Sequence, residues 1–447
     1  MRVRAKKLLF LGGCVVAMLV LPAAAQAASV RLVDQTDERS GITSSEVVYD
    51  ATPGEANRVD AAYDGTRFVT VTDAVAITPG RGCTRPNPAV PTSARCEITA
   101  EGGSAGITVN AGDGNDFARV TGDAGSLRGG DGNDELIVLG DRASDFTGGP
   151  GNDHIVGGDG FDVIDEGASA SGSDFIEGGG GDDQVLYSHR RNKIHADLSG
   201  DAGDGELGEN DRIARDVETL VGGHADDRLT GNSGPNALLG GGGSDILEGA
   251  GAADLLAAGD SEFGPSRSHT HDRLNGGSGR DELLGSAGPN RLSGGGGADE
   301  IAAAGGNDRI SDRDGKLDAI SCGRGRDRVR LDGFDFTTDR CERISRSFSP
   351  AGVPMALELS SNSRRRALVK VGCPSDAPRV CHGRVVIKRG RRGLGSRKFR
   401  VRHGHTKEVV VAVPASATGK RVRVTVRSLD RLGRIRTVSS RFTLAAF

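Results

Sequence analysis

Two hydrophobic periods divide the chain. From Ala28 to Asn110 apolar and polar residues alternate in short runs, "SVRLVD", "EVVYDA", "RFVTVTD", "CEITAE" and "GITVNA", between Gly, Pro and Asn breaks. Alternation at period two with such punctuation predicts short β-strands, which we assign to an N-terminal β cap over residues 28–110. From residue 111 the period lengthens to nine. Six turn-forming positions are followed by X-U-X, with U apolar at Leu136, Ile155, Ile164, Leu229, Leu247, Leu283 and Ile301. Glycine and aspartate are poor strand formers, so each unit predicts a turn and then a three-residue strand.

The sixth position of these units is acidic with unusual regularity. Aspartate stands at Asp116, Asp134, Asp153, Asp162, Asp183, Asp227, Asp245, Asp254, Asp281, Asp299 and Asp308, with Asn236 and Asn290 in the same register. From Asp227 to Asp308 every spacing is a multiple of nine, which predicts a solenoid over residues 111–311. With two units per coil, residues 18 apart stack at about 4.8 Å, so that Asp116 lies under Asp134, Asp227 under Asp245 and Asp281 under Asp299. Carboxylates that close repel by about 3.5 kcal/mol at an effective dielectric near 20.

A hard cation with oxygen ligands relieves that repulsion. Calcium accepts six to eight oxygens in flexible geometry, whereas magnesium demands a stricter octahedron. The candidate ligands are the eleven aspartates above together with the turn glycines Gly112, Gly114, Gly130, Gly132, Gly149, Gly151, Gly158, Gly160, Gly179, Gly181, Gly223, Gly241, Gly243, Gly277, Gly279, Gly295, Gly297 and Gly306. Several Ca2+ ions are the cofactors this arrangement calls for. Some units depart from the pattern. Asn236 and Asn290 give up a charge, "EGAGAADLL" and "HADDRLT" lack a turn glycine, and Asp272 starts a strand without being a full ligand. Residues 186–221 hold no nonamer, and their runs "KIHADL" and "VETLV" predict coils without calcium turns.

The nonamers resemble the hemolysin-type calcium-binding repeats of RTX proteins, GGxGxDxUx. That resemblance implies an all-β chain whose centre is a parallel β-roll with calcium ions between its turns. After Asp308 the repeat decays into "GRDRVRLDGFDFTTDRCERI", which resembles the cysteine-bracketed closing segment that follows such repeats in secreted actinobacterial proteins. A closing cap over residues 312–346 is expected there.

The ends add an export signal and a change of charge. "MRVRAKKLLFLGGCVVAMLVLPAAAQAAS" has a basic start, an apolar stretch and small residues, the order of a signal peptide cleaved after Ala27. A secreted or cell-surface protein is expected, and no later segment is apolar enough to span a membrane. Six cysteines remain in local pairs, Cys83 with Cys96, Cys322 with Cys341 and Cys373 with Cys381, which favours disulfides in an exported chain. A linker at 347–363 leads to residues 364–447, which carry 23 Lys/Arg against three acids. Their Val/Arg alternation predicts a basic immunoglobulin-like sandwich. Its positive face is suited to acidic cell-wall or extracellular polymers. With Phe399, Phe442 and Phe447 the only aromatics there, specific nucleic-acid binding is not expected.

No HExxH, G-x-S-x-G or P-loop occurs, so a non-enzymatic calcium-binding surface or matrix component with a structural or adhesive role is the expected function. The alternative is an extracellular solenoid that binds or modifies polysaccharide. Three tyrosines and no tryptophan speak against an aromatic substrate groove.

Overall fold

The nine-residue period and the alternation before it produce two stacks of strands, one on each side of a flattened coil. The computed structural model describes residues 27–36, 43–98, 105–122, 125–259, 270–332, 335–339 and 341–346, and beyond these the strands of the basic region, and every element it contains is β-strand. No helix long and apolar enough to cross a membrane occurs among them. The expected leader before Ala27, most of the 347–363 linker and the side chains of Cys373 and Cys381 lie outside the described residues.

On the first face, parallel pairing runs unbroken from Thr43–Asp50 through Ala105–Asp113 and Ser126–Asp131 to Phe336–Thr337. The second face runs in the same way from Arg58–Tyr63 to Arg343–Arg346, with one interruption. The three-residue strands each send one apolar side chain inward, and longer ones such as Glu135–Leu139 send two. Leu127, Phe146, Ile164 and Val185 stack on one face and Leu136, Ile155 and Ile176 on the other, all buried. At about 1.5–3 kcal/mol per buried aliphatic side chain, a core so thin leaves much of the stability to the turns.

At the N-terminal end the strands turn antiparallel. Ala28–Thr36 pairs with Thr43–Asp50, and Phe68–Thr72 lies between Arg58–Tyr63 and Ser93–Glu97, with Cys83 bonded to Cys96. At the other end, Ala319–Ser321, Arg328–Leu331, Phe336–Thr337 and Arg343–Arg346 prolong both faces, so the segment expected as a cap is built as further coils, with Cys322 bonded to Cys341.

The interruption falls in the stretch without nonamers. Its two alternating runs form the strands Ile194–Asp197 and Thr219–Val221, but Ala202–Glu206 pairs antiparallel with both Ile194–Asp197 and Asp211–Ile213. The expected plain coil is therefore replaced by a folded-back strand on the second face. Arg190, fully buried, anchors it: its Nη1 donates to Glu209 at 2.9 Å and lies 3.5 Å from Glu206, and its Nη2 donates to the Glu166 carbonyl at 2.6 Å. Arg190→Met will cost about 3 kcal/mol in denaturant unfolding at pH 7.5 in calcium, because it strands buried carboxylates without their cation. The loss will shrink as the pH is lowered, because burial raises the Glu166 carboxyl and favours its protonated form.

The basic region, joined by the strand Glu358–Asn362 from within the expected linker, forms two antiparallel sheets, of three and four strands. Val369, Val371, Val409 and Val411 from one and Val385, Ile387, Val401 and Val424 from the other share a core, giving a seven-stranded sandwich.

Candidate metal centre

The sixth-position aspartates sit at the two edges of the coil, where each turn enters its strand. In every turn one carboxylate oxygen accepts the backbone N–H of the equivalent residue one coil earlier. Asp134 takes the amide of Asp116, Asp153 that of Asp134, Asp245 that of Asp227 and Asp299 that of Asp281, at 2.8–3.0 Å. Asp183, Asp254, Asp281 and Asp308 do the same for Asp162, Asn236, Asp254 and Asn290, and Asp116 does so for Asn57. Stacking at 18-residue intervals is therefore the geometry of the molecule, with steps of 19, 21 or 27 residues where a turn is longer.

The second oxygen is the telling one. The Oδ2 atoms of Asp116, Asp134, Asp153, Asp183, Asp245, Asp254, Asp281, Asp299 and Asp308 are buried without a hydrogen-bond partner. A buried charged oxygen left unsatisfied is strongly unfavourable, so nine in one register require a cation or a proton. Burial pushes Asp134, Asp227 and Asp299 up to about 6, Asp153, Asp183, Asp254 and Asp308 to about 7, and Asp245 to about 8. Asp162 and Asp227 differ from the rest. Their Oδ2 atoms accept the amides of Gly158 and Gly223 in their own turns, at 2.8 and 2.6 Å.

The glycines complete the oxygen lining. At the first position of each unit, a Cβ on Gly129, Gly148, Gly178, Gly240, Gly249, Gly276 or Gly294 would fall 2.2–2.6 Å from the Oδ2 of that unit's own aspartate. The same point lies 2.5–2.7 Å from the first-position carbonyl of the next coil at Gly129, Gly249 and Gly276. At these three places the orphaned carboxylate faces a carbonyl oxygen across a space that glycine leaves open, whereas the units of Asp116 and Asp308 open with Ala111 and Ala303. These first-position glycines are absent from the sequence-based ligand set, although the doubled glycine opening most units marks them.

Most of the expected turn glycines, at the second and fourth positions, perform a different task. Gly130 and Gly132 have φ of +109° and +133°, and a Cβ on either would lie 1.7 or 1.5 Å from the carbonyl oxygen of Gly112 or Gly114 in the coil before. Gly112, Gly114, Gly149, Gly151, Gly179, Gly181, Gly241, Gly243, Gly277, Gly279, Gly295 and Gly306 share the positive φ. Gly158, Gly160, Gly223 and Gly297 do not, but a Cβ on any of them would still strike backbone within 2.6 Å. In "EGAGAADLL", Ala250 and Ala252 adopt the same left-handed backbone, at about 1–2 kcal/mol each.

Asp272 joins the ladder by accepting the Asp245 amide, but the hydroxyls of Thr270 and Ser286 satisfy its Oδ2. Asn290 is satisfied by Ser286. The ladder also reaches residues outside the expected set. Asp174 and Asp211 extend it on one side, and Asp318, Asp327 and Glu342 carry it past Asp308. A close group of three buried carboxylates lies there: one oxygen from each of Asp299, Asp312 and Asp318 falls within 4.8 Å of the others, and both oxygens of Asp312 are without a hydrogen bond. Asp312 occupies the first position of its unit, where most others carry glycine, and burial raises it to about 8. An all-oxygen, anionic, buried lining of carboxylates and carbonyls fits calcium better than a softer metal.

No curated protein matches the chain. The RTX calcium-binding nonapeptide repeat matches it in four copies, over residues 146–165, 169–187, 219–259 and 272–310. Those segments hold most of the ladder aspartates and stacked glycine turns, so the solenoid contains repeats that match the RTX calcium-binding nonapeptide.

Proposed function

We propose that the protein is an exported, non-enzymatic structural or adhesive component whose solenoid is completed by calcium once it meets external concentrations of the ion. The observation that carries this reading is the row of buried Oδ2 atoms without partners, with turn carbonyl oxygens facing those of Asp134, Asp254 and Asp281. Calcium bound there neutralises charge that the apolar core is too thin to offset, so that binding free energy becomes folding free energy. The aspartates with such an oxygen are the ligands we assign, and the first-position carbonyls are their neutral partners. Asp162 and Asp227 contribute less, because their own turn amides occupy them.

The experiment is a calcium titration of the chain from Ala28 to Phe447 after chelator treatment, followed by far-UV circular dichroism with magnesium as control. A cooperative gain of β signal in calcium alone is the expected result. A spectrum indifferent to calcium, with no calcium retained on equilibrium dialysis, would remove the basis of the reading.

A further inference from the structure

The register that stacks the aspartates also stacks the residue after each of them, which opens the strand with its side chain in solvent. The fold is indifferent to what stands there: Phe117, Glu135, His154 and Ile246 occupy the position in other coils of the second face. In five consecutive coils, however, it is arginine. Arg273 pairs with Arg291, Arg291 with Arg309, Arg309 with Arg328 and Arg328 with Arg343, and all five are exposed. On the first face the same position holds Glu282 and Glu300 in neighbouring coils, so the basic row belongs to one side only.

At about 4.8 Å per strand the five arginines make a row about 19 Å long. Neighbouring charges at that spacing repel by about 1 kcal/mol even in water. Arg228, two coils earlier in the same row, is paired with Glu248 at 2.8 Å, whereas no ion pair involves any of the five among the described residues. Beside the row lie two clefts of about 310 Å³ each. His271 and Asn290 line one, Arg326 and Arg343 line the other, and Asn307 and Arg309 belong to both, which makes them one trough. Asp272 and Asp308, which also line it, are buried ladder residues.

We propose that this trough binds a linear acidic polysaccharide bearing carboxylate or sulfate groups, laid along the solenoid axis so that successive anionic groups meet successive guanidinium forks. Evenly spaced unpaired charges match a polymer of repeating charge, and the planar fork of arginine suits carboxylate and sulfate oxygens. A single small anion would engage only one or two of the five. Nucleic acid fits less well, because no Phe, Tyr or Trp lines the trough to stack a base.

The test measures binding of the chain from Ala28 to Phe447 to heparin in calcium, as a function of salt. Three proteins are compared: the wild type, the triple variant Arg291→Gln, Arg309→Gln, Arg328→Gln, and a triple variant of the basic sandwich, Arg397→Gln, Arg400→Gln, Arg402→Gln. Far-UV circular dichroism verifies the fold, and the single variant Arg309→Gln, at the junction of both clefts, is read instead if the triple variant does not regain its β signal. The trough variant is expected to bind about tenfold or more weakly, with a shallower salt dependence, and the sandwich variant to lose less. Wild-type affinity in the trough variant would overturn the proposal, as would single-stranded DNA of equal charge displacing heparin more readily than heparin displaces it. Because the calcium-induced β signal is recorded on the same samples, loss of this proposal is distinguishable from loss of the calcium reading.

Discussion

Freed of metal, the protein will keep its β structure near pH 4.5 and lose it as the pH is raised towards 8, and calcium added at pH 8 will restore it. The sign follows from the ladder carboxylates. Burial raises Asp153, Asp254 and Asp308 to about 7 and Asp245 to about 8, above an ordinary value of 3.8. The metal-free folded chain therefore binds more protons than the unfolded one, and its stability is whole below the unfolded value and falls as the pH climbs through the folded ones. A carboxylate that holds its proton tenfold more tightly in the folded chain contributes about 1.4 kcal/mol to this balance. Whole domains are stable by about 5–15 kcal/mol, so a handful of such groups ionised without a metal decides the outcome. With calcium the dependence reverses, because protons and metal compete for the same oxygens. Circular dichroism across pH with and without calcium checks both limbs. A metal-free chain more stable at pH 8 than at pH 5 would show that these oxygens are satisfied in some other way.

Gly132→Ala will prevent the calcium-loaded solenoid from reaching wild-type stability, with a loss of about 4 kcal/mol or more. The new Cβ would lie 1.5 Å from the carbonyl oxygen of Gly114 and 2.4 Å from its carbon, on a backbone with φ of +133°. Relief requires two coils to separate, which breaks the amide-to-carboxylate contact between Asp116 and Asp134 as well. Gly65→Ala is the control. It has φ of +77° but nothing within 4 Å of a Cβ, and costs only the left-handed strain of about 1–2 kcal/mol. Guanidinium unfolding of both variants in calcium separates the two effects. Equal losses would mean that backbone strain alone, and not the stacking of turns, sets the requirement for glycine.

The solenoid and its metal were legible because a period of nine repeats one physical problem. Carboxylates that recur 18 residues apart, as at Asp227 and Asp245 or at Asp281 and Asp299, must stack, whatever the detail of the coil. The first-position glycines escaped because sequence shows a doubled glycine but not which of the two leaves space beside Oδ2. The legible repeat stops at Asp308 because the step to Asp327 is 19 residues and not 18. "GRGRDRVRL" nonetheless keeps glycine at Gly323 and Gly325, both with positive φ, and aspartate at the sixth position. Asp174 and Asp211 have no glycine pair before them, so only the strand pairing reveals them. Arg190 gave no signal, since an arginine in a polar stretch reads as surface until the fold-back closes over it.

The ladder contacts all point one way. Without exception in the series from Asn57 to Asp174, from Ser144 to Asp183 and from Ile194 to Asp327, the amide belongs to the earlier coil and the carboxylate or amide oxygen that accepts it to the later one. A cut across the stack is consequently asymmetric. At the sixth position the fragment on the N-terminal side is left with amides whose acceptors have departed, whereas at the fifth position it is the C-terminal fragment that loses them, because the amides of Asn133, Asn152, Ser173 and Ser244 donate back to Asn115, Asn133, Asn152 and Asp226. The sixth-position ladder has a grain, like a row of overlapping tiles: each of its amides is covered by the coil laid after it, and Glu342 supplies the last overlap on the second face.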